Sequence, residues 1–390
     1  MSRLGLLCAV LGLGLLGALA QGARAGAGAG TEDRPAAGDV VTLHVAGDIA
    51  YPNGWNGEAE CEQSGAALFA EVRPLLERGD LNFANLEMPL TERKATAKKP
   101  SVIVARPHRL TWLRAAGFNL LSIANNHILD AGKDGLLDTL RHLRAADKPD
   151  RPLFFAGAGE TREAARALRP FIAPGHKTRF GLLALSNISS PLVDADGGAA
   201  TLERIRAAAA SVDTLMVSVH SGIEYQIAPS ASAVRRYRRY IDAGARIVAV
   251  HHSHVISAVE RYHGGVIFYG LGNLSFNSKT LRIRKSTAPH FGMLGRVVLR
   301  DGRLDSVRVF PLYVGNVDTL RVDKERLAPR HATPQLLRGR LAARALSEIV
   351  RASTVPPLRA APAGYELRDD SLVLHEPATA PPRARLQAAN

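Results

Sequence analysis

Short apolar runs recur along the first two thirds of this chain, most of them closing on a polar cluster and followed by an amphipathic stretch. The first complete run is Asp39-Val-Val-Thr-Leu-His-Val-Ala46, which ends at Gly47-Asp48. Runs of that length, apolar on both sides, predict strands covered on both faces. The same pattern predicts strands at Leu81–Glu87, Phe118–Ala124, Leu153–Ala156, Arg179–Leu185, Thr214–Val219 and Arg246–Val250. Between them, apolar residues at helical spacing predict helices from Ser64 to Leu76 with a bend at Pro74, His108–Ala116, Lys133–Ala145, Thr161–Leu168, Leu202–Ala210 and Ala231–Ala243. Alternation of this kind implies an α/β sheet with helices on both faces.

From Ala258 the texture changes. Short strands are predicted at Ala258–Tyr262, Val266–Leu271, Leu294–Leu299 and Val307–Leu312, with hairpin turns at Gly264-Gly265 and Asp301-Gly302. They read as an antiparallel flank of the same domain. Beyond Asp323 the pattern predicts a helix N-capped by Thr333, with Pro334 in its first turn, running to about Arg351. The remainder, with Pro356-Pro357, Pro362, Pro377 and Pro381-Pro382, reads as loose chain. The expected organisation is therefore a main domain over 39–323 and a C-terminal helix and tail over 324–390.

The N-terminus carries a different signal. Met1-Ser-Arg3, the apolar Leu4 to Leu19 and Ala23-Arg-Ala25 have the charged start, short apolar core and small-residue site of a secretory leader. Residues 1–25 are expected to be cleaved and the Gly- and Ala-rich 26–38 to be a flexible lead-in. The protein is then expected in the periplasm or at the cell surface. An uncleaved membrane anchor is the alternative, since ~16 apolar residues are short of the ~20 a span needs.

Charge narrows the class of partner. The chain carries 50 Lys and Arg against 36 Asp and Glu, a formal +14, which loss of Arg3 and Arg24 with the leader would lower to about +12. That balance favours an anionic partner. No Lys/Arg block has interleaved aromatics, so nucleic acid is not expected. Of two cysteines only Cys61 would survive, leaving no internal disulfide.

The strand ends carry the candidate chemistry. Asp48, Asn85 to Glu87, Asn125-Asn126-His127 with Asp130, His220 to Glu224, and His251-His252-Ser253-His254 each close an apolar run. This is where open α/β sheets hold ligands. Singly, each has a plain structural explanation: Asp48 as a turn residue, Asn125 and Asn126 as helix caps, His220 as a buried histidine. Three histidines in four residues at a strand end rarely serve packing alone. Imidazoles mixed with carboxylates suit Mn, Fe or Zn better than Ca or Mg, and His252 and His254 would share one side of an extended segment. Paired metals need a bridging carboxylate, a role open to Glu87 or Asp48. Serine catalysis is not favoured, because no Gly-x-Ser-x-Gly elbow occurs.

The ordered series Gly47-Asp48, Asn85-Leu-Glu-Met-Pro-Leu-Thr91, Ala124-Asn-Asn-His-Ile-Leu-Asp-Ala-Gly132, Gly157-Ala-Gly159, His220-Ser-Gly-Ile-Glu-Tyr225, His251-His-Ser-His254 and Tyr269-Gly-Leu-Gly-Asn-Leu-Ser-Phe276 resembles the CapA family over roughly residues 40–315. That family is associated with poly-γ-glutamate capsule synthesis and has a fold similar to the calcineurin-like metallophosphoesterases. The resemblance implies an α/β sandwich with a strand-end metal site holding two divalent ions. It implies Asp48, Glu87, Asn126, His220, His252 and His254 as ligands, Glu87 as the bridge and His127 as the acid/base group, which Asp130 could orient or whose pKa it could raise. The implied partners are an anionic polymer or phosphate ester and a membrane-bound capsule synthesis machinery. A non-catalytic polymer-binding or export subunit and a periplasmic phosphoesterase remain alternatives. The chain departs from the family pattern at Ser221, Val250 and Ser253, where Trp, Gly and Pro are usual.

The leader reading makes a direct prediction. N-terminal sequencing of protein from the exported fraction should find a start after Ala25 or Ala20. An intact Met1 in the membrane pellet would establish the anchored form instead.

Overall fold

The computed structural model describes residues 38–375, apart from 52, 54–58, 60, 61, 63, 64, 189, 277–290, 315–318, 329, 331, 355 and 359–363. The expected leader, nearly all of the lead-in, most of the polar connecting segment Trp55–Cys61, whose sequence reads as a rim loop, and residues 376–390 lie outside them.

The chain passes through β1 (Val40–Ala50), β2 (Leu81–Leu86), β3 (Leu120–Ser122) and β4 (Phe154–Ala156). It continues through β5 (Phe171–Ile172), β6 (Arg179–Ser186), β7 (Thr214–His220) and β8 (Ile247–His251). Then come β9 (Val259–Tyr262), β10 (Gly265–Phe268), β11 (Asn273–Phe276), β12 (Phe291–Arg300) and β13 (Arg303–Tyr313). The last strands are β14 (Leu320–Val322), β15 (Glu325–Leu327), β16 (Gln335–Leu336), β17 (Tyr365–Arg368) and β18 (Ser371–Leu374).

These strands form two main sheets. One runs β17-β18-β13-β12-β1-β2-β3-β4, with β11 also on β1 and β16 on β13; the other runs β5-β6-β7-β8-β10-β9. Each is parallel where strands alternate with helices and antiparallel where hairpins take over. The inner faces meet through Val41, Leu43, Val45, Phe83 and Leu120 from one sheet and Phe180, Leu182, Met216, Ile247 and Ala249 from the other. Helices Leu110–Ala116 and Gly132–Ala146 cover the outer face of the first. Helices Ala199–Ala210 and Ala231–Asp242 cover the second. The result is the expected α/β sandwich, with the hairpin flank shared between both sheets. Among the described residues no helix is long and apolar enough to cross a membrane.

Three expectations need correction. The stretch before β2 is not one bent helix: a 3-10 turn Gly65–Phe69 is followed by the separate short helix Arg73–Leu76, with Pro74 at its start. Proline has no amide hydrogen to continue a helix but fits a first turn. The C-terminal helix begins at Gly339, and Pro334 instead precedes β16. Nor do the described residues between 339 and 374 stand apart from the main core. The helix Gly339–Thr354 inserts Leu341, Leu346 and Ile349 into the core between the sheets, each burial stabilising by about 1.5–3 kcal/mol. The β17–β18 hairpin then extends the first sheet through β13. Alternating Leu372 and Leu374 carry that hairpin's apolar face, a short signal easily lost among prolines.

Glycines decide how β1 ends. A Cβ on Gly47 would lie 2.0 Å from the carbonyl oxygen of Gly272, and the Asp48 amide donates to that same oxygen at 3.1 Å. The β1–β2 register shifts between Val45 and Asp48, so the strand is re-aimed just where Asp48 must turn inward.

At the opposite edge, the two sheets are clasped by ionic contacts. Asp39 accepts from the Thr178 amide and hydroxyl, and His176 lies 2.9 Å from Asp39 and 3.1 Å from Asp80. Partial burial opposes charge on the His176 ring, but the Asp39 and Asp80 carboxylates outweigh it and raise its pKa. Such a group stabilises fully below the unfolded value of about 6.5 and loses that contribution as pH rises through the raised folded value. The thermal midpoint should therefore fall as pH is raised above about 6.5, and the fall should be smaller in His176→Asn. Equal slopes in both proteins would contradict the clasp.

Candidate metal centre

Parallel strands deliver their carboxyl ends to one edge of each sheet, and here the two edges converge. Asp48 lies near the end of β1, Glu87 directly follows β2, and Asn125, Asn126 and His127 follow β3. From the second sheet, His220 ends β7 and His251 ends β8, with His252 and His254 just beyond. One ligand atom each from Glu87, His220 and His252 lie within 4.8 Å of one another, as do those from Asp48, Glu87 and His254. Glu87 belongs to both groups.

Asp48 and Glu87 are fully buried but differ in company. Asp48 accepts from the Asn85 side-chain amide at 2.9 Å and the His252 backbone amide at 3.1 Å. Burial works against its charge, but His251, whose Nδ1 lies 2.9 Å from Oδ1, and then His220 and His254 outweigh it, holding Asp48 well below the usual carboxylate range. Among the described residues neither oxygen of Glu87 has a hydrogen-bond donor. Its Oε1 lies 3.4 Å from His220 Nε2, 3.9 Å from His127 Nε2 and 4.0 Å from His254 Nε2. Burial, followed by the neighbouring Asp48 charge, pushes its pKa up. A buried carboxylate without donors, ringed by imidazole nitrogens, is the donor set a divalent cation would satisfy. The residues present therefore fit the metal that the resemblance implies.

Hydrogen bonds behind this set orient it. His254 Nδ1 donates to Asn273 Oδ1 at 2.9 Å, which leaves Nε2 as the free lone pair facing Glu87. Burial forces the His220 pKa well down. Its Nδ1 meets the Asn85 side-chain amide at 3.2 Å, and its Nε2 lies 2.7 Å from Asn126 Oδ1. Asn85 in turn accepts from Asn125 at 3.2 Å, and Asn125 accepts from the His127 amide at 3.1 Å. Neither Asn125 nor Asn126 caps the following helix, whose N-cap is Ala131 without a side-chain bond. Asn85 and Asn125 instead form a buried relay joining Asp48 to His127.

His127 Nδ1 lies 2.7 Å from Asp130 Oδ2, turning Nε2 toward Glu87. Burial lowers the His127 pKa despite the opposing Asp130 contact. Of the two roles expected for Asp130, the structure thus shows orientation, while its upward pull on the pKa is outweighed. Lys99, absent from the sequence reading, places Nζ 2.6 Å from Asp130 Oδ1, 2.6 Å from the Asn126 carbonyl and 3.2 Å from His127 Nδ1. It comes from a segment without strand or helix periodicity, so no local pattern marks it.

The His252-x-His254 geometry also differs from expectation. Both residues have positive φ, 87° and 56°, so the segment is a left-handed turn rather than an extended one. Backbone in this region costs a non-glycine residue of order 1–3 kcal/mol. The turn aims His252 at His220, with ring centroids 4.8 Å apart, while His254 faces Glu87 and Asp48.

A two-sheet α/β sandwich here gathers three imidazoles and two carboxylates at converging strand ends, which makes this edge a candidate metal centre. Residues 42–278 match the model of the bacterial capsule synthesis protein PGA_cap family, and the chain belongs to that family. It is 28% identical over 293 residues to the capsule biosynthesis protein CapA of Bacillus anthracis, covering 70% of this chain and 68% of that one. It is 30% identical over 260 residues to the PGA biosynthesis protein CapA of Bacillus subtilis, covering 64% and 66%. A solved phosphatase from Mycoplasma pneumoniae aligns at 14% identity with a TM-score of 0.44, over 70% of this chain and 94% of that one.

The relay predicts a stability defect. Asn85→Leu removes the donor that Asp48 and His220 share, and an unsatisfied buried group costs about 1–3 kcal/mol. Denaturant unfolding of the metal-free protein should show a loss of at least that size, whereas Lys148→Ala, at an exposed side chain without a partner among the described residues, should show none.

Proposed function

We propose that this protein is an exported, metal-dependent hydrolase of the capsule-synthesis class, acting on poly-γ-glutamate or a related anionic surface polymer. The observation that carries the reading is the buried Glu87 carboxylate, without donors and shared by two ligand groups. Asp48, Glu87 and His254 would hold one divalent ion, and Glu87, His220, His252 and Asn126 a second. Mn, Fe or Zn suits these donors. When bound, such a pair polarises the scissile group and activates a water for attack. The relatives' names, capsule and PGA biosynthesis proteins, together with the basic charge of this chain, support the polymer.

The chain's own residues supply orientation and proton handling. Asp130, held by Lys99 and by the Ile103 amide at 2.7 Å, fixes the His127 ring through Nδ1. Nε2 then faces the space beside Glu87; because burial lowers the ring's pKa and Nδ1 faces Asp130, Nε2 would take up a proton from the attacking water and pass it to the leaving atom. General acid catalysis of this kind contributes typically 10²–10⁴-fold. The Asn85–Asn125 relay holds Asp48 and the His127 backbone in register with each other.

One set of measurements tests this. Metal content of the purified protein by mass spectrometry should approach two ions per chain and fall in His252→Ala and His254→Ala; unchanged occupancy in both variants sinks the metal assignment. His127→Asn should keep the metal and fold while turnover of oligo-γ-glutamate or a generic phosphodiester drops by about 10²–10⁴. A metal-loaded wild type that cleaves neither leaves the protein as a polymer-binding subunit.

A further inference from the structure

Beside the centre lies a second feature that the chemistry above does not use. A cleft of about 690 Å³ is lined by Arg235, Arg236 and Arg239 from the helix Ala231–Asp242, and by Ser221 and Asn187, with Leu202 and Tyr240 on its apolar side. Ser221 directly follows His220, and the Asn187 amide donates to the His220 carbonyl at 3.3 Å. One wall of the cleft is thus built on the segment that carries a candidate ligand.

The cleft's charges are unequal. Its one carboxylate, Asp196, is committed: it accepts from the Tyr240 hydroxyl and pairs with Arg236 at 3.2 Å. Arg235 and Arg239 are exposed and have no ion-pair partner among the described residues. They stand four positions apart on one helix, so their side chains leave the same face about 5–6 Å apart at Cβ. The neighbouring arginine of that helix, Arg238, is instead paired with Glu260. Two uncompensated guanidinium groups over a partly apolar trough suit a flexible chain that carries carboxylates on methylene spacers.

We propose that this cleft is a subsite for a linear polycarboxylate, in which Arg235 and Arg239 grip successive carboxylates of a chain whose scissile region lies at the metal centre. The inference rests on the polymer reading above and adds where the polymer is held.

Binding of a fluorescently labelled γ-glutamate oligomer, measured on the full chain both metal-loaded and after chelation, tests it. Arg235→Glu/Arg239→Glu should weaken binding at least tenfold in both states, and raised salt should cost the double variant less affinity than wild type. Arg78→Glu/Arg303→Glu, which makes the same charge change at exposed positions elsewhere, should bind as wild type. Equal weakening in the two double variants overturns the subsite in favour of nonspecific charge. So does a wild type that binds polyphosphate but not the oligomer. Metal content, measured separately, keeps the two readings apart: an arginine-dependent site that persists in a protein shown to take up no metal upholds the cleft while the hydrolase fails. An occupied centre with arginine-independent binding does the reverse.

Discussion

Everything at this site follows from burying two carboxylates, Asp48 and Glu87, at the seam between two sheets. Removing ionised groups from water costs several kcal/mol each unless donors or cations compensate. Asp48 receives that compensation from Asn85, the His252 amide and surrounding imidazoles. Glu87 does not, and its raised pKa records the imbalance. Around it, the rings of His127, His220 and His254 are each held by a further hydrogen bond.

That rigidity has a layered origin. Parallel pairing of β1 with β2 and of β7 with β8 sets the heights of Asp48, Asn85, His220 and His251, since register fixes which residues lie abreast. Close backbone approach at Gly47 then turns Asp48 inward. Polar side chains complete the arrangement: Asn273 fixes the His254 ring, Asn125 the His127 backbone, and Lys99 with Asp130 the His127 ring. Strain in the His252–His254 turn accompanies an arrangement in which one imidazole faces His220 and the other Asp48 and Glu87.

The same architecture explains how a cleft lined by arginines sits beside the centre without disturbing it. The helix Ala231–Asp242 packs Val234, Tyr237 and Ile241 onto the second sheet, leaving its arginines outside. A single helix can thereby carry core residues on one face and charges on the other, and β7 connects the trough to His220 through one peptide bond.

Much of this was legible in the chain. Apolar runs of strand length located β1, β2, β6, β7 and β8 within a few residues, because continuous burial demands continuous apolar sequence. The polar residues closing those runs then nominated Asp48, Glu87, Asn126, His127, His220, His252 and His254. Local pattern could not reveal what depends on partners distant in sequence. Lys99 carries no periodic signature, yet it secures Asp130 from 31 positions away. Asn125 reads as a helix cap until β2 and β3 lie side by side and bring Asn85 to it. The β17–β18 hairpin is too short and too rich in neighbouring prolines to stand out, and it becomes a strand pair only because β13 offers it an edge. The left-handed turn at His252 and His254 arises because the groups it must reach lie on two different sheets. Sequence alone determined which residues had to be buried and which polar groups closed each strand. Only the tertiary structure decided their company, because hydrogen-bond satisfaction in a buried site is settled between segments rather than within them.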